Sequence, residues 1–353
     1  MFIRPHTLSL ITTHQCTAAC DHCCFHCTPK VTKAIPHDRL HALVDEAARI
    51  SSFRLIAFTG GECFLLGTVL DELIERATNH KLATRCVTNG YWAASSKGAA
   101  RRIESAARSG LKEINISTGS FHSKYVPAKN VINAAIAAVG AGITTLINVE
   151  LFAGSNFDLE EITTNSTLKV MIDEKKLLVQ RSFWIDNAGS VPIDHKPEHS
   201  RFQTSRIDGC KTALNVIAVT PDLDVIACCG LHMERIPDLH IGTVRDQTLG
   251  EAIAKAADDF LKIWIHVAGP ERILQFVKQR RPDYDLPLNS VHPCETCLHL
   301  YNSPDALEVI SANYKEAERD IVPLFLAGIM KERLNEVVGR RISELQVEAA
   351  SFS

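Results

Sequence analysis

The distribution of cysteine constrains this chain more than any other feature of its sequence. Ten of the twelve cysteines in the 353 residues fall into two groups. Five lie between Cys16 and Cys27, and the later group consists of Cys210, Cys228, Cys229, Cys294 and Cys297. No secretion signal precedes them, because Arg4, Pro5 and His6 occupy the place of its apolar segment. Since the cytosol keeps thiols reduced, we expect a cytoplasmic protein whose clustered cysteines bind metal.

Composition excludes several classes of protein. Hydrophobic residues make up 46% of the chain and charged residues 22%, which is typical of a globular fold. The net charge of −3 gives no indication of binding to nucleic acid or to an anionic membrane surface. Residues 130–149 carry no charge but include Asn, Thr and Gly. We expect a buried helix, a turn and a strand there, with a membrane span as the alternative.

The first 185 or so residues alternate short apolar segments with helical patterns. The apolar segments predict six strands, which are Thr7–Thr12, Phe53–Phe58, Ala83–Val87, Glu113–Ser117, Thr144–Leu151 and Leu177–Ser182. A helix over Leu159–Ile172 is expected before the sixth strand. This alternation is typical of parallel βα units. The uniform repeat favours an α/β fold with a closed or partly closed barrel, and an open doubly wound sheet is the alternative.

Three domains are expected along the chain. Residues 1–190 would form the barrel, residues 191–303 a small cysteine-containing domain, and residues 304–353 a tail of amphipathic helix. In the second domain, Leu214–Val219 and Val225–Cys228 predict a β-hairpin.

The first cysteine group begins directly after the first predicted strand. Cys16, Cys20 and Cys23 have the spacing C-x3-C-x2-C. Three thiolates in so short a loop can hold three irons of a cubane iron–sulfur cluster and leave the fourth iron open. A zinc site is the alternative, completed by His14, His22 or His26.

This loop resembles the cysteine motif of the radical S-adenosylmethionine (SAM) superfamily. In that family the open iron binds the methionine part of SAM, and reductive cleavage yields a 5′-deoxyadenosyl radical that abstracts hydrogen from a substrate C–H bond. The resemblance implies a partial (β/α)6 TIM-like barrel, in agreement with the six predicted strands. It also implies a [4Fe-4S] cluster, SAM, and a flavodoxin- or ferredoxin-type electron donor. Cys20, Cys24 and Cys27 repeat the spacing. The frame that begins at Cys16 is preferred because it follows the strand directly, as in the family.

Further motifs at the predicted strand ends resemble the same family. Its cofactor contacts correspond here to Gly60, Gly61, Glu62, Ser117, Asn148 and Glu150. The two glycines would let the backbone approach the methionine, and Glu62 would accept from its ammonium group. Ordinary strand-end polarity is the alternative for Asn148 and Glu150. Thr88-Asn89-Gly90 also resembles the family, and His122 and Tyr125 are candidate substrate contacts with a purely structural loop as the alternative.

The second cysteine group resembles the short, "twitch" form of the family's SPASM-type auxiliary domain. The resemblance implies one auxiliary [4Fe-4S] cluster on Cys210, Cys228, Cys294 and Cys297, and a zinc ribbon is the alternative. Cys229 is then a spare thiol. Since some radical peptide epimerases quench a carbon radical with a thiol, Cys229 is a candidate catalytic hydrogen donor, and an inert buried cysteine is the alternative.

The sequence leaves three classes of function open, and the resemblance favours the two enzymatic ones. We favour maturation of a ribosomally made peptide by crosslinking, oxidation or epimerisation. The alternatives are dehydrogenation of a small alcohol or aminocyclitol, and a non-catalytic iron–sulfur or zinc protein. Because the barrel begins near residue 7, we expect no N-terminal leader-recognition domain, so a peptide would need a separate recognition protein or direct docking on the helical tail.

Overall fold

The computed structural model describes residues 3–151, 155, 157–183, 200–202, 209–256 and 259–351. Its strands are β1 (Thr7–Ile11), β2 (Leu55–Thr59), β3 (Ala83–Thr88), β4 (Glu113–Thr118), β5 (Thr144–Leu151), β6 (Leu177–Phe183), β7 (Val216–Val219), β8 (Asp224–Ile226) and β9 (His240–Thr243). They form one sheet in the order β6-β5-β4-β3-β2-β1-β7-β8-β9. Strands β1 to β6 pair in parallel. This parallel run confirms the expected partial (β/α)6 barrel.

In the described residues, helices alternate with the strands of the barrel, and the C-terminal part of the chain is mostly helical. They are α1 (His37–Arg49), α2 (Thr68–Asn79), α3 (Ser96–Ser109), α4 (Ala128–Gly140), α5 (Glu160–Thr163), α6 (Ser166–Asp173), α7 (Leu249–Lys255), α8 (Phe260–Arg280), α9 (Pro293–Tyr301) and α10 (Pro304–Ser351). The apolar residues of α1 recur every three or four positions, so one face is buried: Leu40, Leu43, Val44 and Ala47. This face packs in the same core as Leu8 and Leu10 of β1.

The uncharged residues 130–149 divide between helix and strand. They form most of α4 and the first six residues of β5, which is the buried arrangement expected from the sequence. Among the described helices, none is both long and apolar enough to cross a membrane.

The expected helix over Leu159–Ile172 is in fact two helices. The break lies between α5 and α6, where the Asn165 side chain accepts hydrogen bonds from the backbone N–H groups of Thr167 and Leu168. Asparagine at an N-cap satisfies helix donors that have no partner within the helix, so it begins a new helix here.

The predicted β-hairpin is present and extends the barrel sheet. Strands β7 and β8 pair antiparallel, while β7 also pairs in parallel with β1, with Thr7 opposite Val216. The predicted domain boundary at residues 190 and 191 lies outside the described residues, and the division into three domains stays a prediction.

A break in α8 positions the start of the second cysteine region. Gly269 has φ +81° and ψ 158°, outside the helical range, and Pro270 follows it. The Cys210 N–H donates to the Ile265 carbonyl at 3.0 Å. A side chain at Gly209 would overlap the His266 and Val267 carbonyl oxygens. The last turn before the break therefore anchors the backbone around Cys210.

Candidate functional site

A cavity of about 160 Å³ lies at the carboxyl ends of the parallel strands. Its wall combines the first cysteine group with residues that follow β2 to β5. The lining residues include Cys16, Cys20, Cys23, Cys24, Cys27, Gly60, Gly61, Asn89, Ser117, His122, Asn148 and Glu150. Carboxyl strand ends form the active site in barrel enzymes, so this cavity is the candidate active site.

The thiols of the preferred frame lie close to one another. Burial, and to a smaller extent the nearby Glu62 and Cys23, raise the pKa of Cys16 to about 11. Burial, followed by Cys23 and Cys16, also raises the pKa of Cys20. Because metal binding requires thiolates, a bound cation would displace these protons. The three thiols offer soft sulfur ligands, which fit an iron–sulfur cluster.

Cys24 and Cys27 also line the cavity, but their thiols have different neighbours. A hydrogen bond between the Cys27 and Cys23 thiols raises the pKa of Cys27 and lowers that of Cys23. Burial raises the pKa of Cys24, as do Cys23, Cys229 and Glu234. Cys24 therefore faces the side of the barrel that contains Cys229.

The two glycines after β2 pack against the cysteine loop. A Cβ atom on Gly60 would lie 2.4 Å from the Thr13 carbonyl oxygen, and one on Gly61 would lie 2.1 Å from that of Gln15. The Gly61 N–H donates to the Thr13 carbonyl at 2.6 Å. Only glycine fits here, so these residues fix the beginning of the loop in addition to lining the cavity.

Glu62 occupies a different position from its two glycine neighbours. Its carboxylate is fully buried and does not line the cavity. It accepts hydrogen bonds from the Thr88 hydroxyl, the Asn89 N–H and the Phe64 N–H at 2.9–3.1 Å. Burial raises the pKa of Glu62 to about 7. In this arrangement the carboxylate joins the turn after β2 to the turn after β3.

Asn89 connects the turn after β3 to the cysteine loop. Its Nδ2 lies 3.6 Å from the Cys16 sulfur and donates to the Thr17 hydroxyl at 3.0 Å. The sequence motif at 88–90 indicated a family feature, but the contact with sulfur could not be inferred from it. Asn89 is therefore a site residue that the sequence analysis missed.

Glu150 faces the cavity from the end of β5. Its Oε1 accepts from the Phe121 N–H at 2.8 Å, and its Oε2 lies 3.2 Å from His122 Nδ1. A Cβ atom on Gly119 would lie 1.7 Å from Oε2, so glycine at 119 makes room for the carboxylate. His22, His122 and Glu150 each offer a ligand atom within 4.8 Å of the others. Two imidazoles and a carboxylate therefore lie together in the cavity wall.

The loop after β4 also covers the cysteine loop. The Phe121 ring stacks on His22 with centroids 4.4 Å apart. The Tyr125 hydroxyl donates to the Ala19 carbonyl at 2.7 Å, and Lys124 pairs with Asp21 at 2.8 Å. The two candidate substrate contacts therefore have different positions. His122 lines the cavity, whereas Tyr125 contacts the backbone of the cysteine loop at Ala19.

Ser117 and Asn148 complete the cavity wall on β4 and β5. They lie directly opposite one another in the parallel register of the two strands. Asn148 Oδ1 accepts from the Ser182 hydroxyl at 2.7 Å, which orients its amide. Both side chains offer polar atoms at the cavity.

Four thiols of the second cysteine group converge at another place, between the β7–β8 hairpin and α9. Burial raises the pKa of Cys297, as do the neighbouring Cys228, Cys294 and Cys210. A Cβ atom on Gly230 would lie 2.9 Å from the Cys294 sulfur and 3.6 Å from that of Cys228. Four thiols around one point fit a tetrahedral metal or a cubane cluster.

Cys229 is the fifth thiol of this group, and it adds to the raised pKa of Cys228 and of Cys294. Its thiol donates to the Ser9 hydroxyl of β1 at 3.2 Å. It does not line the cavity, although Cys24, which does, lies on its side of the barrel. Glu234 is close to both thiols and pairs with His14 at 3.4 Å.

Comparisons with known proteins agree with this arrangement. Residues 10–163 match the Radical SAM superfamily. The chain is 24% identical over 309 residues to YydG of Bacillus subtilis (strain 168), which is named as a candidate peptide biosynthesis protein. The alignment covers 85% of this chain and 93% of YydG.

Solved structures match this chain at low sequence identity, and one of them, with a TM-score above 0.5, shares its fold. Native anSMEcpe with bound AdoMet and Cp18Cys peptide has a TM-score of 0.52 at 15% identity, covering 90% of this chain and 99% of that one. BtrN in complex with AdoMet and 2-DOIA has a TM-score of 0.44 at 12% identity, covering 74% of this chain and 87% of that one. Residues 10–163, which match the radical SAM superfamily, contain the cysteine loop and the strand ends that form the cavity. The chain is therefore similar to this superfamily, whose members use SAM and a [4Fe-4S] cluster, over the part that builds the candidate active site.

Proposed function

We propose that this chain is a radical SAM enzyme that modifies a peptide by abstracting hydrogen from one of its C–H bonds. The observation that carries the proposal is the single cavity shared by the Cys16, Cys20 and Cys23 thiols and the polar strand ends. The similarity to YydG along most of both chains supports a peptide substrate.

The cofactor-binding residues follow from the cavity wall. Cys16, Cys20 and Cys23 would hold the cluster, and SAM would lie against Gly60, Gly61, Ser117, Asn148 and Glu150. When bound, the two cofactors supply a 5′-deoxyadenosyl radical. The two glycines present backbone groups to the methionine, while Glu62 supports the turn behind them rather than offering a free oxygen.

The second cysteine site would hold the auxiliary cluster. Cys228, Cys294 and Cys210 all act on Cys297, whereas the Cys229 thiol is hydrogen-bonded to Ser9, so these four are the proposed ligands. This assignment leaves Cys229 free of iron and hydrogen-bonded to Ser9.

Cys229 is the proposed hydrogen donor if the product is an epimer. A substrate carbon radical would take the hydrogen atom of the thiol, leaving a sulfur radical that regains one electron and one proton. The Ser9 hydroxyl orients the thiol, and the auxiliary cluster or an external flavodoxin- or ferredoxin-type donor would supply the electron. A substrate would have to reach Cys229 past Cys24, since only Cys24 lines the cavity.

The proposal is tested with the full-length, anaerobically reconstituted protein. Reduction with dithionite in the presence of SAM should yield 5′-deoxyadenosine, and Cys16→Ala should abolish it. Cys86→Ala, which removes a buried thiol outside both sites, is the matched control. Absence of 5′-deoxyadenosine from an iron-loaded protein would favour a non-catalytic metal protein.

A second experiment separates the substrate classes. Deuterium transfer into 5′-deoxyadenosine from a deuterated peptide supports peptide maturation, whereas transfer from a deuterated aminocyclitol or other small alcohol supports the dehydrogenase. For a peptide product, Cys229→Ala should prevent epimerisation without preventing SAM cleavage. A peptide that binds only with a second protein present would identify a separate recognition partner.

A further inference from the structure

A buried carboxylate lies beside the second cysteine site. Glu271 is fully buried in the first turn of α8 after the break at Gly269. It is one of the groups that raise the pKa of Cys297, after burial and the other three thiols. The helix α9, which carries Cys294 and Cys297, packs against α8. Glu271 is thus a charged group in the wall of the cysteine site, outside the candidate active site.

One cation lies next to this carboxylate. The Arg201 Nε donates to Glu271 Oε1 at 2.9 Å, while Oε2 has no hydrogen-bond partner within the described residues. The Arg201 N–H donates to the Ser290 carbonyl, which lies just before α9. The ion pair is therefore fixed between α8 and the segment that delivers the cysteines.

A buried carboxylate is costly unless something offsets its loss of water. Replacing such a pair by apolar side chains is often neutral or stabilising, so its presence is weak evidence for a role in stability. A charge in a low-dielectric wall, however, acts strongly on any neighbouring charge. The reduction potential of an iron–sulfur cluster depends on the charges and hydrogen bonds around it.

We propose that Glu271 and Arg201 set the reduction potential of the auxiliary cluster, with Glu271 lowering it and Arg201 opposing that effect. The inference rests on the proposed auxiliary cluster. Reduction adds one negative charge to the cluster, so the carboxylate disfavours reduction and the guanidinium favours it. A lower potential makes the reduced cluster a stronger electron donor, which suits the return of an electron to a sulfur radical.

The test measures a potential in the full-length protein. Replacing Cys16, Cys20 and Cys23 by alanine removes the first cluster and leaves only the auxiliary signal. In this background, redox titration followed by electron paramagnetic resonance should give a higher potential for Glu271→Gln and a lower one for Arg201→Gln. We expect each to change the one-electron equilibrium about tenfold, equivalent to about 59 mV.

A charge change at the surface provides the control. Glu316 of α10 pairs with Arg280, which lies on α8 as Glu271 does. The Glu316 side chain is 66% exposed. Glu316→Gln should leave the potential unchanged, because water screens its charge. A general loosening of the fold would not shift the Glu271 and Arg201 variants in opposite directions.

The outcomes separate the inference from the function on which it rests. Zinc, or no iron, in the triple variant would overturn the auxiliary cluster and this inference with it. An iron–sulfur signal whose potential does not move in either variant, or moves in the same direction in both, would overturn the inference alone. If Glu271→Gln does not retain iron, the Arg201→Gln result decides: a lower potential supports the inference and an unchanged one refutes it.

Discussion

Asn89 Nδ2 lies 3.6 Å from the sulfur of Cys16, so an amide on the turn after β3 contacts the first thiol of the cysteine loop. The same residue donates its backbone hydrogen to Glu62, which ties this turn to the one after β2. Two turns and the cysteine loop are thus connected through three neighbouring residues. The contact makes the sulfur of Cys16 sensitive to a residue 73 positions away in sequence.

Asn89→Ala should lower the reduction potential of the first cluster. The N–H group stabilises the more negative, reduced state through its contact with sulfur. A hydrogen bond contributes about 1 kcal/mol, which corresponds to about a fivefold change in the reduction equilibrium. Redox titration of the first cluster measures it. Asn133→Ala removes a buried asparagine that bonds to the Ala93 carbonyl and serves as the control; equal potentials in both variants would contradict the prediction.

Gly61→Ala should prevent the cysteine loop from taking its observed position. The added Cβ would lie 2.1 Å from the Gln15 carbonyl oxygen, which also accepts from the Glu62 N–H at 3.0 Å. Overpacking of this kind costs about 1–3 kcal/mol of stability. Thermal unfolding and iron content measure the effect. Gly140→Ala, where the Cβ meets nothing within 4 Å, should keep both values.

Gly119→Ala should weaken SAM binding about as much as Glu150→Gln does. The new Cβ would lie 1.7 Å from Glu150 Oε2, so the carboxylate would have to leave its place at the cavity. We expect about a tenfold loss of affinity, or about 1.4 kcal/mol, in anaerobic calorimetry.

The double variant tests whether Gly119 acts through Glu150. If it does, Gly119→Ala and Glu150→Gln together should weaken binding no more than either alone, because the two changes remove the same contact. Additive losses would show that Gly119 matters for another reason, such as its φ of +140°.

The sequence predicted the strands of the barrel closely because their apolar segments are short and bounded. Each of the six segments overlaps its observed strand, and Thr144–Leu151 matches β5 at both ends. The expected helix over Leu159–Ile172 was wrong in one respect, since the apolar periodicity continues through Asn165 while the side chain caps a new helix.

Contacts between distant turns could not be predicted from the sequence. The cysteine spacing indicated a metal site, but it did not reveal that Glu62 faces Thr88 and Asn89 rather than the cavity. The pairing of β7 with β1 likewise depends on a chain path that no local pattern encodes. Such relationships are set by tertiary packing, which single-residue propensity does not capture.

Tyr125→Phe should loosen the cysteine loop before any metal binds. The Tyr125 hydroxyl donates to the Ala19 carbonyl at 2.7 Å, and the pair of Lys124 with Asp21 lies alongside. The tyrosine is partly exposed, so the lost hydrogen bond is worth about 1 kcal/mol or less. Amide exchange of residues 16–28 in the metal-free protein should therefore become up to about fivefold faster. Tyr314→Phe on α10, a tyrosine of similar exposure far from the loop, should not change exchange there. If residues 16–28 exchange equally fast in both variants, the loop after β4 does not hold the cysteine loop in place.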